Sequence, residues 1–397
     1  MTIAKVESRQ AMGTSLRERV RAIDWVCEDA DTRYLTHGMH RYSGKFIPQI
    51  ARHAIEFLTD PGDVVLDLFC GSGTTLLEAY MSGRRSIGID MNPLATLLAR
   101  TKCTPITRAR LDELIRIMTE TVADILSNGG EGTLFSQTGM ASLRTSIEED
   151  VRFHGEWYRK WYDEVGLYQL IGIHRAIEAV QDEHLRRVAT VAFSDILRRC
   201  SHARGGYPNV MYDKRRLIRP IPAPLFLTRL REFCQMIASL AEQRILGYEP
   251  EVRDGDARAT GLPDNCVDAV ITHPPYIGSV PYAEYGMLSL TWLGYDPKQL
   301  DRALIGGKRQ SQDVLERFRR DYAAVLCESW RVLKPGKHLF VLVGHPLVKG
   351  QRINLADMTC ELAVRADFKL VANAARAGIN RRANKMGEED LLFFAKQ

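Results

Sequence analysis

One stretch constrains the fold more than any other: Val64-Val65-Leu66-Asp67-Leu68-Phe69-Cys70-Gly71-Ser72-Gly73-Thr74-Thr75. An apolar run of strand type ends at an acid, and a turn of small residues then opens into a helical pattern from Leu76 to Met81. A strand, a glycine turn and a helix in that order bring backbone N–H groups to a ligand at the carboxyl edge of a parallel sheet. About twenty residues further on, a second strand-like run, Ser86-Ile87-Gly88-Ile89, ends in Asp90, where an acid can hold the two hydroxyls of a ribose. An α/β chain that binds a nucleoside cofactor is the first inference.

Two nucleotide motifs are excluded. A dinucleotide fingerprint requires a third glycine at position 76, which is Leu76, and a phosphate loop requires Gly-Lys-Ser/Thr, which is absent. The stretch resembles motif I of S-adenosylmethionine-dependent methyltransferases, in the Asp-x-Phe-x-Gly-x-Gly-Thr-Thr form of the amino-group DNA methyltransferases. That resemblance implies a doubly wound class I methyltransferase sheet, mostly parallel with one antiparallel strand. It also implies S-adenosylmethionine as cofactor, held by Asp67, Phe69, Gly71, Gly73, Thr74, Thr75 and Asp90, with Met91 or Asn92 beside the adenine. Upstream, Tyr42-Ser43-Gly44-Lys45-Phe46 before the Pro48 helix resembles motif X of the same enzymes. There Lys45 would pair with the cofactor carboxylate and Phe46 would pack beside it. Downstream, Gly255-Asp256-Ala257-Arg258 resembles the segment before the catalytic motif, with Asp256 reaching the adenine amino group.

The second decisive feature is His273-Pro274-Pro275-Tyr276, which follows the strand run Val267 to Thr272. Adjacent prolines stiffen the chain at a strand end and remove two backbone donors. The Pro274 carbonyl is then free to accept a hydrogen bond from an exocyclic amino group, and Tyr276 can stack on a base turned out of a duplex. The family pattern is Asp/Asn/Ser-Pro-Pro-Tyr, so His273 departs from it; a neutral imidazole nitrogen can accept the same bond. Tyr282 to Gly294 resembles a subfamily read as N4-cytosine methyltransferases. The resemblance therefore implies methyl transfer to an amino group of double-stranded DNA, cytosine N4 preferred, with N6-adenine as the alternative. An RNA guanine-N2 methyltransferase and a decayed, binding-only relative are the other readings.

With 45% hydrophobic and 26% charged residues the chain has the composition of an ordinary globular protein. Met1 to Arg21 lacks an apolar signal core, and no apolar run approaches ~18 residues, so secretion and a membrane span are not expected. Eight cysteines without a C-x-x-C pair argue against a disulfide scaffold or zinc ribbon; a reducing cytoplasm and no metal are expected.

The net charge of +5 is modest, but nine Lys/Arg stand against Asp195 and Asp213 between Arg186 and Arg219. Arg198, Arg199, Arg204, Lys214, Arg215 and Arg216 are DNA-binding candidates, with Arg381 and Arg382 in a second basic group that includes Arg376. Arg198 to Arg219, with Gly205-Gly206-Tyr207-Pro208, is expected to be a loop. The expected organisation is an N-terminal extension over 1–36, a catalytic domain over 37–102 and 249–397, and a helical insert over 103–248. The insert is the candidate target-recognition region, and its Trp157, Tyr158, Trp161 and Tyr162 are expected in a core. A restriction–modification setting would add a cognate endonuclease as partner.

Overall fold

The apolar runs around Leu66, Ile87 and Val270 lie side by side in a seven-stranded sheet, in the computed structural model that describes residues 15–129, 155–206, 209–243, 245, 248–278, 281–307, 311–377 and 387–397. Its strands are β1 (Val64–Asp67), β2 (Arg85–Asp90), β3 (Glu251–Asp254), β4 (Val267–Thr272) and β5 (Leu333–Gly344), then β8 (Phe368–Ala377) and β9 (Glu388–Lys396). Two short strands, β6 (Leu347–Val348) and β7 (Gln351–Arg352), form a separate hairpin. The order across the sheet is β3-β2-β1-β4-β5-β9-β8. β1 to β5 pair in parallel, and β9 runs antiparallel to both of its neighbours. This is the mostly parallel sheet with one antiparallel strand that the motifs imply.

Both faces of the sheet are covered, which is why its central strands are continuous apolar runs. All six residues of β4 are buried. Alternate residues enter opposite cores. Val65, Ala269, Ile271 and Phe340 pack with α1 (Leu16–Ala22) and α2 (Pro48–Leu58). Leu66, Val270, Leu339 and Val341 pack with α13 (Val314–Val332) and α14 (Leu355–Arg365).

The first helix ends at Ala22, where Ile23 turns extended and the Trp25 indole N–H donates to the Val20 carbonyl at 2.8 Å. Residues 16 to 25 also form part of the sheet's own core: Val20 and Trp25 are buried beside Phe46 and Phe393. At the other end, Lys334-Pro335-Gly336-Lys337 is a kink inside β5, with Gly336 at positive φ and regular pairing resuming at His338.

Between α4 (Pro93–Cys103) and β3 the chain builds a helical layer: α5 (Arg108–Gly129), α6 (Glu156–Trp161), α7 (Glu164–Glu178), α8 (Glu183–Cys200) and α9 (Pro222–Glu242). Three short helices, α10 (Tyr282–Tyr285), α11 (Met287–Trp292) and α12 (Pro297–Ala303), follow the His-Pro-Pro-Tyr motif. The layer shares one core with Leu94 and Leu98 of α4 and with Trp292 of α11. Tyr158, Trp161 and Tyr162 are buried there, as expected of core aromatics, and Trp157 packs at the edge. Trp292 meets Tyr158 edge-to-face at 5.1 Å and donates its indole N–H to the Tyr162 hydroxyl at 3.3 Å. No helix among the described residues is long and apolar enough to cross a membrane.

Candidate active site

The carboxyl ends of β1, β2 and β4 each terminate in a polar residue, and the parallel register gathers all three at one edge. After β1 the chain must reverse sharply to start α3 (Thr74–Met81). Gly71 and Gly73 make this turn at φ 50° and 81°, a region that L side chains rarely adopt. A Cβ on Gly73 would lie 3.0 Å from Ala99 of α4, so the glycine is also needed for close packing.

Asp90, at the end of β2, accepts the Gly71 N–H at 2.9 Å and the Asn92 N–H at 2.8 Å. Those bonds lock the carboxylate against the glycine turn, while burial pushes its pKa up to about 6. Asn92 caps α4 by accepting the Leu94 N–H at 3.1 Å, and its Nδ2 is buried without a hydrogen-bond partner. Asp67 takes a different role. It is 2% exposed, accepts from the Thr272 hydroxyl at 2.8 Å and the Phe69 N–H at 3.1 Å, and ties β1 to β4. Burial raises its pKa to about 6 as well.

A cavity of about 60 Å³ opens at this edge, lined by Phe69, Gly71, Asp90, Met91, Asn92 and His273 among others. Gly255, Ala257, Pro275, Tyr42 and Tyr282 contribute further to its walls. It brings together motif I, the acid of β2, the segment after β3 and the catalytic motif, which lie far apart in sequence. Tyr42 and Tyr282 also line a neighbouring cavity of about 340 Å³, whose rim includes Arg198, Arg199 and Arg216. The two tyrosines therefore stand between the cavity at the strand ends and the arginine-rich one.

Several expected contacts lie elsewhere. Asp256 is gripped by Arg258, whose Nη2 donates to Oδ2 at 2.6 Å; its neighbours Gly255 and Ala257 line the cavity in its place. Phe46 is 8% exposed and stacks on the His273 ring at 5.2 Å and 19°, so it supports the catalytic motif from behind. Lys45 donates to the His37 carbonyl at 3.3 Å. Thr74 and Thr75 are buried in the first turn of α3, behind the cavity wall. Tyr276 does not offer an open ring face: it is 4% exposed, edge-on to His273 at 84°, with its hydroxyl tied to Glu389.

His273 is the centre of this part of the site. Its Nε2 lies 2.7 Å from the Tyr276 hydroxyl, and its Nδ1 is buried without a hydrogen-bond partner. Burial lowers its pKa to about 4, so the ring is neutral near pH 7.

Sequence reading did not find three contributors. Lys102 of α4 is fully buried, with Nζ 3.4 Å from Ser72 Oγ in the glycine turn, and burial pulls its pKa down to about 7. A lysine in a helical pattern ordinarily signals a solvated face, so nothing local marked it. Glu389 of the last strand accepts from the Tyr276 hydroxyl, 113 residues away in sequence, and Arg376 of the strand beside it lies 3.4 Å from the other Glu389 oxygen. Arg376, grouped by sequence with surface cations, is 4% exposed and faces Glu389.

The basic stretch after α8 is a loop, as expected, and it is held by a defined set of bonds. Ala203 bridges Tyr212, Arg204 donates its N–H to the Met211 carbonyl at 2.7 Å, and Asp213 donates to the His202 carbonyl at 2.8 Å. Arg198 donates to the Asn209 carbonyl at 2.8 Å and Arg216 to the Arg199 carbonyl at 2.8 Å, so arginines stitch the turn together. Arg204, Lys214 and Arg215 lie at its surface with Arg199 nearby, beside Leu217 at 77% and Ile218 at 94% exposure. Arg381 and Arg382 lie outside the described residues.

Comparison with known proteins agrees with this geometry. The N6/N4 family model, described as DNA methylase, matches residues 10–99. Over 92% of this chain and 90% of the relative, the sequence is 24% identical to the type II methyltransferase M.MvaI of Kocuria varians. It is 22% identical to the type II methyltransferase M.MjaII of Methanocaldococcus jannaschii, over 81% of this chain and 74% of that one. Among solved structures, a SAM-dependent methyltransferase from Methanosarcina mazei matches at a TM-score of 0.35 and 12% identity, covering 86% of this chain and 96% of that one. At that score the match adds nothing to the topology read from the strands themselves.

Proposed function

This chain belongs to the amino-group DNA methyltransferases, and from that premise we propose that it methylates the N4 amino group of cytosine in duplex DNA. S-adenosylmethionine supplies the methyl group, carried on a sulfonium whose positive charge makes it an electrophile. The residues present fit that cofactor. An acid locked by two N–H groups suits a ribose diol, and the partnerless Asn92 Nδ2 beside it is a donor for a purine edge. Lys102, beside Ser72 of the glycine turn, would meet the carboxylate of the methionine end.

The observation that carries the reading is the partnerless Nδ1 of a neutral His273 at the same cavity. An exocyclic amino nitrogen is a poor nucleophile because its lone pair is delocalised into the ring. Acceptors on both of its hydrogens draw the nitrogen toward tetrahedral geometry and localise that pair. The Pro274 carbonyl and the His273 imidazole would be those acceptors, with histidine standing where the family has an acid, amide or alcohol. An amino group paired inside a duplex cannot enter such a cavity, so the base would be turned out of the stack. The likeness of Tyr282 to Gly294 to N4-cytosine enzymes supports cytosine over adenine. The exposed Lys214 and Arg215, on the helical insert's basic turn, would lie along the phosphate backbone.

Incubation with labelled S-adenosylmethionine and unmethylated genomic DNA, followed by nucleoside analysis, tests this reading. N4-methylcytosine is expected. N6-methyladenine would replace the base and keep the chemistry, label only in RNA would transfer the activity to another substrate, and no label in either would overturn the proposal.

A further inference from the structure

The geometry points to Glu389 as a positioning residue that, through the Tyr276 hydroxyl, holds His273 in the tautomer that leaves Nδ1 free to accept. This role deepens the proposed function and rests on it for the meaning of that acceptor.

The number of available protons decides the tautomer. Tyr276 donates its one hydroxyl proton to Glu389 Oε1 at 2.9 Å. A carboxylate beside it has no proton to give back, so the phenolic oxygen can act toward His273 only as an acceptor. The 2.7 Å contact to His273 Nε2 must then be an N–H donated by the imidazole. A neutral imidazole has one N–H, so Nδ1 carries the lone pair. That is the nitrogen left buried without a partner. Were the chain of bonds reversed, Nδ1 would bear hydrogen and would oppose an amino group instead of accepting from it.

The sheet topology explains how a residue so distant in sequence reaches the motif. Parallel strands present only their carboxyl ends to this edge. β9 runs the other way beside β5, and its amino end therefore lies there, with Glu389 opposite Gly344 at the end of β5. On its other side Glu389 is directly opposite Arg376 of β8. Arg376 Nε lies 3.4 Å from Oε2, the oxygen that Tyr276 does not use. The arginine is 4% exposed, so it supplies a counter-charge inside the protein. Glu389 and Arg376 are the charges that bear on the imidazole; burial, aided by Arg376, outweighs the pull of Glu389 and lowers its pKa to about 4. The ring is thus neutral, and only its tautomer remains to be set. Phe46, stacked on its face, fixes the ring plane.

The test is nitrogen-15 NMR of histidine-labelled full-length protein, with His273→Gln used to assign the resonance. Wild type should show Nδ1 as pyridine-like and Nε2 as pyrrole-like throughout neutral pH. Glu389→Gln keeps the shape but lets the side-chain amide donate to Tyr276, and Tyr276→Phe removes the bridging oxygen. Both should populate the Nδ1–H tautomer and slow methyl transfer by on the order of 10–100-fold, as when an outer partner orienting an imidazole is lost. Cofactor affinity by calorimetry should be unchanged in both. An Nδ1–H or protonated His273 in wild type would overturn the inference. So would a tautomer indifferent to both variants, or a shifted tautomer with wild-type transfer rates. The NMR readout needs no substrate, so it stands or falls apart from the identity of the methylated base.

Discussion

At the scale of single residues, the site is built by burial acting on groups whose bonds are fixed by the backbone. Asp90 is the clearest case, since its folded pKa of about 6 lies above the ordinary carboxylate value. Ribose hydroxyls donate best to the ionised form, so cofactor binding should be at full strength above that pKa and weaken as pH falls through it. Calorimetric titration of S-adenosylmethionine across that range should show this acid limb in wild type. In Asp90→Asn the limb should be absent and the affinity lower by about 1.5–3 kcal/mol, the range for hydrogen bonds to a charged group. Asp90, the glycine turn and Asn92 could be read from sequence because they are consecutive with the strands that place them. Asp256 could not, because an arginine two residues away captures its carboxylate. Glu389 could not, because its neighbour Tyr276, 113 residues away in sequence, is chosen by the register of an antiparallel strand.

At the scale of elements, legibility followed the burial pattern. Strands buried on both faces and helices with one apolar stripe were visible along the chain. The strand β8 was not: Ala372, Ala374, Ala375 and Ala377 give it low strand propensity, and it is held by its pairing with β9. The turn after α8 was legible as a loop, but the bonds that hold it were not. It is the loop that its glycines suggest, and arginine side chains bonded to backbone carbonyls hold it. If its exposed tip lies on DNA phosphates, Lys214→Ala with Arg215→Ala should weaken binding equally across sequences. The slope of log affinity against log salt should become shallower by about 0.9 for each phosphate that the variant no longer neutralises. Fluorescence anisotropy over a salt series reads both. An unchanged slope would remove this turn from the interface.

At the scale of the whole molecule, the His273–Tyr276 motif follows β4, whose residues enter the cores on both faces of the sheet, and the N-terminal residues belong to one of them. Trp25 packs on Phe393 of β9 and His53 of α2. Trp25→Ala should therefore destabilise the folded chain by about 3–5 kcal/mol in chemical denaturation, the cost of emptying a large buried site. An effect near zero would make the segment peripheral after all. The arrangement that matters most is the convergence of Asp90 and His273 on one cavity, from the ends of β2 and β4, which flank β1 in the parallel sheet. The most direct measurement is the single-turnover rate of methyl transfer by His273→Phe, alongside its equilibrium affinity for S-adenosylmethionine. Loss of an oriented acceptor at the reacting nitrogen should slow transfer by on the order of 10²-fold while leaving cofactor affinity intact. Transfer at the wild-type rate would contradict the assignment of that cavity as the place where the amino group is activated.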